Sequence, residues 1–157
     1  MSVEFLTLDN CHVVHKPWGQ ETWLQGGSSL YPFALKELIL REGFVTSLQV
    51  HQFKSETIHL HQGHGALIYH PTPFDCEKYL QGGYSPQDIQ QIKNELITQP
   101  LGPGAVFHTP PGTIHRMVAY TDLHYTEAST TQLDDVIRLE DSHNRGHGRI
   151  DSEHEQR

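Results

Sequence analysis

Cysteine is scarce: the 157 residues hold two, Cys11 and Cys76, and no Cys-x-x-Cys pair. That excludes a disulfide framework and fits two reduced thiols. Basic residues are also few, 11 Lys and Arg against 19 Asp and Glu, for a formal net charge of -8. The clustered cations that a nucleic-acid surface needs are absent, so no nucleic-acid partner is expected. A negative field disfavours anionic substrates too, unless particular lysines and arginines offset it locally. No stretch approaches the ~18 uninterrupted apolar residues of a membrane span. The opening Met1-Ser2-Val3-Glu4 lacks the positive flank and apolar run of a secretory signal, and the expected location is the cytoplasm. There is no glycine-rich phosphate loop and no internal repeat.

What remains suits one domain, long enough to bury a core without staples. Residues 33–40 form an apolar run broken by Lys36 and Glu37, followed by a turn at Arg41-Glu42-Gly43. Residues 45–51 are rich in Val, Thr and Leu, as a half-buried pleated strand is. Residues 57–61 alternate Ile58 and Leu60 with His59 and His61, which predicts a strand whose histidines face outward. Gly63 and Gly65 bracket a tight turn before a strand at 66–69, and residues 71–83 read as loop. Ser85-Pro86-Gln87-Asp88 then gives an N-cap, a proline at the first helical position and an early acid. With Ile89, Ile92, Leu96 and Ile97 at helical spacing, it predicts a short amphipathic helix over 86–97, packed outside the sheet. Strands return at 105–108, 114–120 and 123–128, and a helical turn or short helix is expected at 133–139.

Short strands spaced by turn signals, with one inserted helix, predict an all-β barrel or sandwich rather than βαβ units. Residues 1–141 are expected to form the single domain, and 142–157 a polar, flexible tail.

Histidine is abundant, with thirteen copies, but several fall in that hydrophilic tail, so arrangement has to decide. Two segments stand out. In the first, Gly43 is followed after five residues by Gln49, after one by His51, after four by Glu56 and after six by Gly63. In the second, Gly104 is followed after five by Pro110, after one by Gly112 and after two by His115. Gln49 and His51, two apart on a strand, share a face. If Glu56 and His115 join them, two imidazoles, a carboxylate and an amide oxygen meet. Such a set suits one divalent Zn, Fe, Mn, Co or Ni ion and leaves positions open for a substrate.

These segments resemble the two motifs of the cupin superfamily, G-x5-H-x-H-x3,4-E-x6-G and G-x5-P-x-G-x2-H-x3-N. Two positions depart from them: Gln49 replaces the first histidine and Ala119 the final asparagine. Lys16-Pro17-Trp18-Gly19 with Glu21, Ser47-Leu48-Gln49-Val50-His51, Pro110-Pro111-Gly112-Thr113-Ile114-His115-Arg116 and residues 134–141 (DDVIRLED) resemble segments of mannose-6-phosphate isomerase-like cupins. The resemblance implies an all-β cupin jelly-roll barrel with a short helix between the motifs, commonly paired into homodimers. It also implies Gln49, His51, Glu56 and His115 as ligands of one metal ion, zinc foremost.

The implied activity is aldose–ketose isomerisation of a sugar or sugar phosphate. That reaction needs a metal to polarise the carbonyl, a base to carry a proton, and a hold on the far end of the sugar. Lys54, two residues before Glu56, is a candidate catalytic residue; its plainer reading is a solvated turn lysine. Glu21 and Glu127 are the candidate proton carriers, although a solvated acid is the plainer reading of Glu21. Lys36 faces either solvent or the barrel cavity, and strand parity leaves both open. For Arg116 the plainer reading is an outer salt bridge, and for Trp18 and Trp23 it is core or dimer packing. A non-catalytic sugar-binding module and an Fe(II)-dependent dioxygenase are the alternative functions.

Overall fold

The computed structural model describes residues 2–155. Eleven strands form two antiparallel sheets. The first contains β1 (His12–Lys16), β2 (Gly19–Gln25), β3 (Ala34–Leu40), β10 (Leu123–Ser129), β5 (Glu56–Gln62) and β8 (Val106–Thr109), in that spatial order. The second contains β11 (Ile137–Glu140), β4 (Leu48–Val50), β9 (His115–Ala119), β6 (Gly65–Tyr69) and β7 (Ile97–Leu101). Three short α-helices, α1 (Cys76–Leu80), α2 (Pro86–Asn94) and α3 (Asp151–His154), and one 3-10 turn at Leu8–Asn10 complete the described residues. This is the expected all-β barrel with helix inserted between the two motif segments.

The inner face of the first sheet changes character along its strands. Leu40, Leu60 and Leu123 are fully buried at one end, each contributing about 1.5–3 kcal/mol of burial free energy. Trp18, Leu38, Met117 and Tyr125 pack with them. Toward the other end the inward positions become Lys36, Glu127 and Glu56, all buried. Cross-strand register sets them in rows: Lys36 pairs with Glu127, and Glu127 in turn lies opposite Ile58. The barrel therefore has an apolar end that holds the fold and a polar end that is free for chemistry. His59 and His61 lie exposed on the outer face, as the alternation predicts.

On the outside of the second sheet, Leu48, Val50, Ile114 and Ile137 pack against Phe74 and Cys76, with Ile89, Ile92 and Leu96 over them. Helix α2 opens with a capping box: Asp88 N–H donates to Ser85 Oγ (3.1 Å), and Ser85 N–H to the Asp88 carboxylate (2.8 Å). The helix ends at Asn94, short of the expected residue 97, because Ile97 opens β7 opposite Tyr69. Pro100 is tolerated there because β7 is an edge strand. Three further readings are corrected. Segment 71–83 contains α1, capped by Asp75. Segment 133–139 gives no helix; its end pairs with β4 as β11. Of the strand expected at 45–51, only Leu48–Val50 is regular, and Val45 makes an isolated bridge to Val118.

Residues 142–155, although polar, pack back on the barrel. Arg145 makes a two-pronged contact with Asp141 (2.8 and 3.0 Å) and reaches Glu153 (3.2 Å), which also pairs with Lys16 of β1 (2.7 Å). These four side chains are between 4 and 11% exposed, so the network anchors the segment instead of decorating a surface. His154 completes the contact edge-on to Trp23. No helix of the described residues is long and apolar enough to cross a membrane.

Candidate metal centre

The polar end of the barrel encloses a cavity of about 110 Å³. His51 follows β4, Glu56 opens β5 and His115 opens β9. One ligand atom from each lies within 4.8 Å of the others, and all three residues are buried. The turn joining His51 to Glu56 is wrapped around one carboxylate. Asp135 accepts hydrogen bonds from the backbone N–H groups of Gln52 (3.0 Å), Phe53 (2.7 Å) and Lys54 (3.0 Å). The carbonyl of the same residue accepts from His51 Nδ1. His115 is oriented likewise: its Nδ1 donates to the Thr113 carbonyl at 2.9 Å.

A carbonyl oxygen can only accept, so both Nδ1 atoms carry hydrogen and Nε2 is the atom each imidazole can offer a metal ion, as a lone pair when the ring is neutral. His51 Nε2 lies 3.1 Å from Glu56 Oε1, and His115 Nε2 lies 3.5 Å from Glu56 Oε2. His51 Nε2 is buried and has no aligned hydrogen-bond partner. Lone pairs facing a carboxylate call for a cation between them, either a proton or a metal ion. Backbone carbonyls that fix the tautomer of each histidine are the usual outer support of a metal ligand. The donor set of two imidazoles and a carboxylate fits a divalent transition ion. Gln49 lines the same cavity beside His115 in the sheet register, and its Oε1 accepts from the Ser47 hydroxyl at 2.6 Å.

Lys36, Lys54, Glu21 and Glu127 all border this cavity. The Lys54 ammonium is buried between the Glu56 and Glu127 carboxylates, 3.0 Å from the latter. Burial opposes its charge, but these two anions outweigh that and push its pKa up. The same pair of effects holds Glu56 well below the usual carboxylate range: burial disfavours its charge, and the Lys54 ammonium beside it outweighs that. Lys36 pairs with Glu21 at 3.2 Å and sits 4.3 Å over the Trp23 ring. Thus Lys36 faces the cavity, and Glu21 is not a solvated acid. The reason is β2, which carries Glu21 inward opposite Leu38. Trp18 joins the core as expected and also borders the cavity, and Trp23 forms cavity wall without being part of that core cluster. Arg116 points outward to Glu140 at 2.9 Å.

Burial would raise the pKa of Glu21, but the Lys36 and Lys16 cations and the Trp23 N–H hydrogen bond overcome it and hold the value at about 2. A folded value below the ordinary 4.5 means a stabilising contribution that is complete above pH 4.5 and disappears as pH falls through about 2. The loss is on the order of 3 kcal/mol. Urea unfolding across that interval is expected to show the wild type losing its advantage over Glu21→Gln as pH falls. A stability difference independent of pH would contradict this account.

Sequence reasoning missed Tyr125, Arg138, Arg145 and Asp135. Tyr125 lies two residues before Glu127 on one strand, so parity could have found it. Burial, with Glu127, Glu21 and Glu56 nearby, pushes its phenol well above the ordinary value. Burial and the neighbouring Arg145 charge lower the pKa of Arg138.

No protein-family model matches the chain, and no curated protein matches it. Solved structures do. An oxalate decarboxylase structure is 14% identical with a TM-score of 0.62, covering 88% of this chain and 33% of its own. The capsular polysaccharide assembling protein CapF from Staphylococcus aureus is 16% identical with a TM-score of 0.59, covering 82% of this chain and 31% of its own. Ectoine synthase from P. lautus is 13% identical with a TM-score of 0.56, covering 83% of this chain and 78% of its own. The chain thus spans about a third of the CapF and oxalate decarboxylase chains. These neighbours are cupin-fold proteins, and the barrel described above is a cupin fold.

Proposed function

We propose that the chain is a zinc-dependent isomerase interconverting an aldose and a ketose, as free sugar or sugar phosphate. The observation that carries this reading is the direct contact between the His51–Glu56–His115 cluster and a buried Lys54–Glu127 pair inside one cavity. Aldose–ketose interconversion moves the C2 hydrogen to C1 and the O2 hydroxyl proton to O1. His51, Glu56 and His115, with Gln49 as fourth donor, would hold the ion. When bound, it would supply Lewis-acid polarisation of the sugar carbonyl.

Glu127 is assigned the transfer of the carbon-bound proton between the two carbons. Lys54, held charged by its two carboxylates, donates a hydrogen bond to oxygen as negative charge develops there. Glu21 is too weak a base at a pKa of about 2 and instead holds Lys36 in place to meet a sugar hydroxyl. The CapF name associates a similar fold with capsular polysaccharide assembly, and the Ser-Leu-Gln-Val-His strand resembles isomerase-like cupins. Pairing of two copies through sheet edges belongs to the same proposal.

Incubating the zinc-loaded protein with a panel of aldoses and their 6-phosphates, and assaying for ketose, tests the reading. Ketose that disappears on chelation is expected; no ketose from any of them defeats it. A second reading, a non-catalytic sugar-binding module, is favoured by the ion pairs that tie up both lysines and by the low pKa of Glu21. Saturable sugar binding without turnover selects it.

A further inference from the structure

The chain is acidic overall, yet the cavity is not. Six of its 11 Lys and Arg residues border it: Lys16, Lys36, Lys54, Arg138, Arg145 and Arg149. Only four of the 19 acids do: Glu21, Glu56, Glu127 and Asp134. Basic side chains are gathered here against the sign of the whole molecule, but an anionic ligand needs one whose charge is not already met by a carboxylate.

Five of the six have carboxylate partners. Lys16 meets Glu153, Lys36 meets Glu21, and Lys54 meets Glu56 and Glu127. Arg145 meets Asp141 and Glu153, and Arg149 meets Asp151. Arg138 has none among the described residues. One of its terminal nitrogens, Nη1, donates to the carbonyls of Gly146 and Gly148 (2.9 Å to the latter), which fixes the guanidinium in place. Its Nε–H is buried with no acceptor at all. Arg138 is part-buried, and a guanidinium with no carboxylate partner and a buried Nε–H without an acceptor costs free energy unless something supplies an oxyanion.

Register gives the position. Arg138 of β11 lies opposite Gln49 of β4, and Gln49 lies opposite His115 of β9. All three border the cavity in one row across the sheet. Two strand spacings separate the backbones of Arg138 and His115 by roughly 10 Å. A ligand meeting the metal centre at one end would reach Arg138 several bonds further along.

We infer that the ligand of this cavity carries an acidic group, phosphate or carboxylate, remote from its metal-facing end, and that Arg138 binds that group. This rests on the proposed reading of the cavity as a sugar site. The Nε–H and Nη2–H edge of a guanidinium matches two oxygens of one oxyanion, a pairing a lysine cannot reproduce.

Calorimetric titration of the zinc-loaded full chain with D-mannose, D-mannose 6-phosphate and D-glucuronate tests the inference. At least one acidic sugar is expected to bind about tenfold or more tightly than the neutral one. The preferred acid tells phosphate from carboxylate. Arg138→Gln is expected to weaken binding of the preferred acidic sugar about tenfold or more beyond any loss for mannose, with Arg138→Lys between it and the wild type. Equal binding of neutral and acidic sugars by the wild type overturns the inference without recourse to any variant. So does an equal loss for both in Arg138→Gln, which would make Arg138 only a support for the segment around Gly146 and Gly148. An acid preference that depends on Arg138, with no ketose formed, leaves the inference standing and removes the isomerase. Ketose formed from neutral sugar without any acid preference does the reverse.

Discussion

Replacing Glu56 with glutamine is expected to cost more than about a hundredfold in metal affinity, and with it all isomerase turnover. Outer partners that merely orient a ligand account for about 10- to 100-fold, and Glu56 stands at the centre of the cluster. Its two oxygens face one imidazole each, at 3.1 and 3.5 Å. It is the only carboxylate of the three-residue cluster. Glutamine keeps the volume but removes the charge and turns one oxygen into an NH2 group that cannot be a ligand. The fold has no reason to collapse, because Lys54 keeps Glu127 as a partner. Competition against a chromophoric chelator reads the affinity. Thermal unfolding with and without zinc gives a second readout: the wild type gains stability from the ion, and the variant does not. Undiminished binding by the variant would place the ion elsewhere.

The residues of this centre were legible from spacing because turn and strand geometry force them together. Two ligand positions flank a short turn, and the third opens a strand after a Pro-Pro-Gly turn. The supports were not legible. Asp135 is more than eighty residues from the turn it holds, and a backbone carbonyl that orients His51 leaves no trace in side-chain chemistry. Lys36 could not be placed because β3 carries aliphatic residues on both faces: Leu38 and Leu40 inward, Leu35 and Ile39 outward. Its period-two signal is erased. In β2 the difficulty is reversed. Gly-Gln-Glu-Thr-Trp-Leu-Gln alternates nothing, so neither the strand nor the inward turn of Glu21 could be read.

The tail illustrates a different limit. Hydrophilic composition separates chains that can bury apolar area from those that cannot, but residues 142–155 are held by ions. Arg145 satisfies Asp141 and Glu153 together, and Glu153 then reaches β1. Such a network depends on partners brought from opposite ends of the chain. Residues 133–139 failed for a related reason: apolar residues at 133, 136, 137 and 139 fit a helix or a strand equally well locally. The vacant edge of β4 decided between them.

Lys54→Met is expected to destabilise the metal-free protein by about 3–5 kcal/mol, the cost of removing one partner from a buried ion pair. Lys54 is 5% exposed, and its ammonium lies between two carboxylates that are themselves buried. Methionine fills similar volume, so the loss isolates charge from packing. Without the ammonium, Glu56 and Glu127 are left without a cation between them. Zinc should restore much of the loss, because an ion held by His51, Glu56 and His115 neutralises Glu56 from its other side. The gain in stability on adding zinc should therefore be larger in Lys54→Met than in the wild type. Adding Glu127→Gln to Lys54→Met should recover stability even in the presence of a chelator, since only one carboxylate of the Glu56–Glu127 pair then remains. Guanidinium unfolding of the three proteins, each with zinc and with chelator, measures every term. If Lys54→Met lost the same stability in both conditions, ammonium and metal would not share Glu56, and the contact that links the metal centre to the proposed proton-transfer pair would be incidental.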